Sequence, residues 1–238
     1  MRAIGFSTGA LAKGDFSKAL EMLSGRKLTA VELSALRQDE LQLLVEQIET
    51  LDLSAFKYVS FHAPSSMERQ FEPVALRLLD KVAKLGWPII VHPDAMHTPK
   101  EWARLGKRLC LENMDKRKPV GQTAEDLEKF FEILPDALLC FDIGHARQVD
   151  PTMSEAAAIL SRFSDRIQQL HVSEVNTQSK HDRLSFESVL AFHRVSHLVP
   201  GDVPVILESR VEEGEIQEEI TRATEALAPE SRLAIAGD

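Results

Sequence analysis

Eight short runs rich in Val, Ile, Leu and Phe recur at even spacing along the chain, each separated from the next by a longer stretch of helical periodicity. They occupy residues 3–7, 29–33, 58–62, 89–92, 109–112, 138–142, 167–171 and 205–208. Between them, residues 39–48, 74–85, 124–134, 154–163 and 215–227 read as helices, several preceded by Ser, Thr or Asp as capping candidates. Strands that alternate with helices build βαβ units and a parallel sheet, and eight such units predict closure into a (β/α)8 barrel. The length of 238 residues suits one barrel, which typically needs about 250. An open, doubly wound sheet is the competing arrangement, but no GxGxxG follows the first strand to support it. Prolines and glycines scatter singly rather than gathering in a linker, so residues 1–238 are expected to form a single domain.

Side chains alternate across a strand, which fixes a register. If Phe61, Val91, Leu111, Phe141, Leu170 and Leu207 face outward under the helices, the residues that follow them face the barrel interior. Those residues are His62, His92, Glu112, Asp142, His171 and Glu208, with Glu32 in the equivalent place on the second strand. Histidine supplies only 8 of the 238 residues, so three at strand ends are not an accident of composition. The C-terminal strand ends are where such barrels carry their chemistry. Several carboxylates gathered in a partly apolar mouth repel one another unless a cation joins them. Mixed imidazole and carboxylate donors suit Zn or Mn, with Fe, Co or Mg as further candidates, better than Ca. One position deeper, Ser60, Ile90, Cys110, Cys140, Gln169 and Ile206 read as packed interior. Two cysteines are too few for a disulfide framework, and both are expected to be structural.

The net charge of −9 argues mildly against a nucleic-acid partner without excluding one. Basic residues nevertheless collect on the loops expected after the later strands: Lys116, Arg117 and Lys118, then Arg147, then Lys180 and Arg183, then Arg210. Together with Glu32, the residues Lys116, Arg147, Arg183 and Arg210 are candidates for binding a small, anionic substrate. The acidic run 212–219 reads as a solvated helix face. No signal-peptide pattern opens the chain and no run of 18 apolar residues occurs, so a cytoplasmic protein with no membrane contact is expected.

The segments VELS (31–34), SFHAP (60–64), IIVHPD (89–94), LCLENM (109–114), FDIGHA (141–146), QLHVSEVN (169–176) and VILES (205–209), in this order, resemble the xylose isomerase-like barrel superfamily. That group includes sugar isomerases and epimerases and endonuclease IV. Resemblance to the epimerase branch implies one divalent metal held by Glu112, Asp142, His171 and Glu208, with Glu112 and Glu208 also moving protons beside a polarised carbonyl. Resemblance to the endonuclease IV branch implies that His62 and His92 join Glu112 at a second metal, and that His145 with a downstream Asp and His completes a third. Here the match is partial: Asp182 is present, but Leu184 stands where the final histidine is expected, with His181 as a substitute from the other side. The expectation is a metal-dependent isomerase or epimerase of a small carbohydrate with one or two metals per chain. The alternatives are an endonuclease IV-like phosphodiester hydrolase and a catalytically silent, metabolite-binding barrel.

Overall fold

The computed structural model describes residues 2–228. The eight runs form strands β1 (Ile4–Ser7), β2 (Ala30–Ser34), β3 (Tyr58–His62), β4 (Ile89–Val91), β5 (Leu109–Glu112), β6 (Leu138–Asp142), β7 (Ile167–Val172) and, last in the chain, β10 (Val205–Leu207). They close in the order β1-β10-β7-β6-β5-β4-β3-β2, every pair parallel. Between β7 and β10 a short antiparallel ribbon adds β8 (Glu174–Val175) and β9 (His181–Asp182), which the sequence pattern does not announce. Closure needs a close approach at Gly5, where a Cβ would stand 1.7 Å from the Ala30 carbonyl oxygen. Among the described residues no helix is long and apolar enough to cross a membrane.

The register agrees with the alternation. Phe61, Val91, Leu111, Phe141, Leu170 and Leu207 join the core between barrel and helices, while Ile90, Cys110 and Cys140 pack together inside the barrel. Both cysteines are buried with free thiols, and burial pushes each thiol pKa up. The five expected helices appear as Gln38–Gln47, Glu72–Lys84, Ala124–Ile133, Ser154–Arg162 and Ile216–Ala226. Further helices, among them Phe16–Leu23, Ile143–Val149 and Phe186–His193, are too short for periodicity to mark well.

Two expectations about charge are corrected. The acidic run is not simply a solvated face, because Glu219 is fully buried and accepts a hydrogen bond from the Leu184 backbone N–H at 2.9 Å. Arg183 turns toward that same helix, pairing with Glu215 and, at 2.8 Å, with Glu218.

Glu72 anchors the segment that leaves β4 and carries His92. Its buried carboxylate accepts from the backbone N–H groups of His97 (2.7 Å) and Thr98 (3.0 Å) and from the Trp102 indole (2.8 Å). Glu72→Ala strands these donors, so it is expected to destabilise the fold by on the order of 3 kcal/mol, read from urea unfolding.

Candidate metal centre

The C-terminal ends of β3, β5, β6 and β7 carry His62, Glu112, Asp142 and His171, while His92 and Glu208 follow β4 and β10 directly. All six are buried. At the centre sits the Glu112 carboxylate: its Oε2 lies 3.1 Å from His62 Nε2 and 3.3 Å from His92 Nε2, and its Oε1 lies 3.4 Å from Nδ1 of both His145 and His171. Glu208 Oε2 stands 3.4 Å from His171 Nδ1 and 3.5 Å from His181 Nδ1.

Local structure fixes these side chains. Asp142 caps the helix Ile143–Val149, its Oδ1 accepting the His145 N–H at 2.7 Å. The side chain of Asn113 clasps the Asp142 backbone, donating to its carbonyl and accepting from its N–H, both at 2.8 Å. The Nδ1–H of His62 donates to the Ala63 carbonyl (2.6 Å) and that of His145 to the Asn113 carbonyl (2.9 Å). A carbonyl can only accept, so in each neutral ring the lone pair is left on Nε2.

The donors gather into three overlapping groups: His62, His92 and Glu112; Glu112, Asp142, His171 and Glu208; and Asp142, His145 and His181. Within each group the ligating atoms lie within 4.8 Å of one another. Asp142 Oδ2 and His171 Nδ1 are buried with no hydrogen-bond partner among the described residues, a costly arrangement that a bound cation would relieve. The donor set could therefore hold metal ions.

Burial and neighbouring charges shift the pKa values of several of these groups. Burial, reinforced by the charges of Glu112, Asp142 and Glu32 against the opposing pull of His171, pushes the Glu208 carboxyl up to about 8. Burial would lower the His62 pKa, but its hydrogen bond to Glu112 and that group's charge outweigh it and raise His62 to about 9. Burial and the neighbouring His145 charge lower His181 to about 3, leaving it a neutral donor.

Above this floor opens a cleft of about 590 Å3, into which Glu112, Glu208 and four of the histidines emerge. Arg117, Lys118, Lys180 and Arg210 line it. Lys118 is steadied by Asp94 at 2.8 Å and Arg117 by Asp115 at 3.0 Å. Lys180 and Arg210 make no ion pair among the described residues.

Other candidates lie elsewhere. Glu32 does not line the cleft: its strand partner is Ser60, whereas His62 is paired with Ser34, so Glu32 sits one layer deeper and is fully buried. Asp182 is exposed on the ribbon and accepts from the Asn176 side chain at 2.6 Å. Arg147 pairs with Glu174, Lys116 is exposed outside the cleft, and the paired Arg183 is half-buried and also outside it. Leu184 is buried in the core, and the donor facing His145 is His181, their rings 5.2 Å apart. Asn113, Ser65 and Ser66 belong to the site or its rim without having been marked as such. The position of Asn113 directly after β5, and of Ser65 and Ser66 in the loop that follows β3, was the available signal.

Among solved structures the chain is similar to endonuclease IV from Thermus thermophilus, at 19% identity over 94% of this chain and 98% of that one, with a TM-score of 0.61. It is similar to the 3-keto-D-glucoside 4-epimerase YcjR of E. coli at 14% identity, over 93% and 100% of the two chains, with a TM-score of 0.57. It also resembles the IOLI protein with its bound zinc atom, at 12% identity over 94% and 98%, with a TM-score of 0.63. These likenesses show the fold, a closed parallel (β/α)8 barrel. No protein-family model matches the chain, and no curated protein does.

Metal uptake should follow the protons. A cation binds the deprotonated forms of His62 and Glu208, so below about 8 it must displace protons from both and above about 9 from neither. Affinity for zinc is expected to rise with pH across that window, by about one log unit per pH unit for each proton displaced. Calorimetry in buffers of different ionisation enthalpy reads the proton release directly. An affinity that is flat between pH 6 and 9 contradicts the arrangement.

Proposed function

We propose that this chain is a metal-dependent phosphoester hydrolase that holds more than one divalent cation, zinc or manganese, and acts on a small anionic phosphoester. The observation that carries the reading is the overlap of the donor groups: Glu112 belongs to the first two and Asp142 to the last two. A centre for one cation has no use for the imidazoles of His62, His92, His145 and His181 beside the complete set of Glu112, Asp142, His171 and Glu208. Cations held close together supply Lewis-acid charge, which stabilises a phosphoryl group under attack and acidifies water.

The protein's own groups complete the chemistry. His62, His92 and Glu112 would hold one cation, Glu112, Asp142, His171 and Glu208 a second, and Asp142, His145 and His181 are the donors for a third. Lys180 and Arg210, free of ion pairs among the described residues, attract the anionic substrate, and Lys118, fixed by Asp94, offers it a preset charge. A cleft of about 590 Å3 suits a small molecule, and the short loops around it give little surface with which to grip a duplex. The likeness of fold to endonuclease IV is compatible with this reading.

A second reading, isomerisation or epimerisation of a small carbohydrate, is favoured by one feature. Glu112 and Glu208 each bring a carboxylate oxygen to 3.4 Å from His171 Nδ1, so two potential proton carriers flank one donor position. A barrel that merely binds a metabolite gives no reason for four imidazoles to converge on one buried carboxylate.

One experiment separates these readings. Protein purified without chelator is assayed for metal per chain, then offered bis-p-nitrophenyl phosphate, duplex DNA with an abasic site, and a panel of keto sugars. Two or more ions per chain and hydrolysis of the small diester are expected. Glu112→Gln is expected to lower that activity by more than about 100-fold, the upper loss seen when a residue that only orients a ligand is removed. One ion per chain with sugar epimerisation, and no hydrolysis, would overturn the proposal in favour of the second reading.

A further inference from the structure

The metal centre leaves one nearby carboxylate unused. Glu32 is fully buried beneath the donors, and its Oε2 gathers three contacts: Ser60 Oγ at 3.1 Å, Gln169 Nε2 at 2.8 Å and His171 Nε2 at 3.0 Å. Gln169 is itself held from below, its Oε1 accepting from the Tyr58 hydroxyl at 2.7 Å. His171 thus has one nitrogen on Glu32 and the other, Nδ1, turned toward Glu112 and Glu208 without a hydrogen bond.

A neutral imidazole can ligate only through the nitrogen that carries no proton. His171 is therefore a donor at Nδ1 only when its proton sits on Nε2. Two neighbours compete to set that proton. The Gln169 amide nitrogen lies 2.9 Å from His171 Nε2, and, being a donor, it favours a bare Nε2 with the proton moved to Nδ1. The Glu32 carboxylate, an acceptor only, favours the opposite arrangement and also takes up a Gln169 hydrogen. For His62 and His145 backbone carbonyls do this work with no competitor. At His171 it falls to an ionisable side chain.

We propose that Glu32 is the positioning residue that makes His171 a metal ligand: it holds the proton on Nε2 against Gln169, leaves the Nδ1 lone pair facing Glu112 and Glu208, and strengthens that lone pair by its charge. The inference rests on reading the site as a metal centre, not on the reaction assigned to it. Glu32 does not line the cleft, and its other oxygen, Oε1, is buried with no hydrogen-bond partner among the described residues, so the polar contacts of the carboxylate are those of Oε2.

The test uses the full chain and zinc. Glu32→Gln preserves volume but replaces the charged acceptor with a neutral amide. The expected result is a 10- to 100-fold loss of zinc affinity, roughly the range for removing a ligand's supporting carboxylate, measured by competition with a chromophoric chelator. Nitrogen-15 NMR should show the His171 proton on Nε2 in the parent protein, and an increased share on Nδ1 in metal-free Glu32→Gln. In a His171→Ala background the same substitution should cost no further affinity, which a general packing defect would not reproduce. Glu32→Asp, which keeps the charge but shortens its reach, is the second variant, and it too should lose zinc affinity. Unchanged zinc affinity in folded Glu32→Gln, or an equal loss with and without His171, overturns the inference. A parent protein that takes up no zinc overturns both it and the metal reading. A protein that binds zinc but cleaves no phosphoester counts against the reaction and not against the role of Glu32.

Discussion

Four imidazoles share the two oxygens of the buried Glu112 carboxylate, at 3.1 to 3.4 Å. They arrive from the end of β3, the segment after β4, the helix after β6 and β7. One carboxylate thus joins four separate parts of the chain. Positive charge on the rings stabilises this carboxylate, and holds its pKa well below the usual range despite burial. Its neighbour Glu208 is pushed the other way, by burial and by the charges of Glu112, Asp142 and Glu32. Two glutamates in one cavity are thus shifted in opposite directions by the balance of ring charge, burial and like charge around each.

The scaffold is arranged to keep this cluster rigid without filling it. Asn113 imitates a strand partner for the Asp142 backbone, so β5 and β6 stay in step where the ladder ends. Asp142 divides its carboxylate, one oxygen serving as a helix cap and the other left bare. Glu72 pins the chain after β4 from outside the barrel. Each of these contacts commits a polar group to backbone geometry, and each leaves a donor atom facing the same point.

Much of this was legible in the sequence because a parallel barrel imposes a period of two on every strand and buries one face of each. The outward Phe61, Val91, Leu111, Phe141, Leu170 and Leu207 thereby locate His62, His92, Glu112, Asp142, His171 and Glu208 without any knowledge of loops. Period alone does not give depth. Strands in a closed barrel are staggered, so β2 meets β3 with Ser34 and not Glu32 beside His62, and a residue expected at the rim lies a layer below it. The basic loops were less legible still. Whether Arg183 or Arg210 faces the cleft depends on which acidic partners the neighbouring helix offers, and Glu215 and Glu218 claim Arg183. The order of His181, Asp182 and Leu184 could not reveal which of them turns inward until the ribbon that carries them was known.

That ribbon, β8 with β9, carries His181 across the mouth, and it is made of two residue pairs outside the barrel ladder. The Ser173 hydroxyl, at 2.8 Å from His181 Nδ1, ties it back to the end of β7. Every other donor is rooted in a strand end, in the residue immediately beyond one or, for His145, in the first turn of the helix after β6. The barrel can thus be regarded as a fixed socket and the ribbon as an interchangeable faceplate. Trimming or regrafting those few residues would alter how many positions the socket offers without disturbing a single barrel hydrogen bond. Diversification of such a centre then needs no new core, only a different short loop laid across the same mouth.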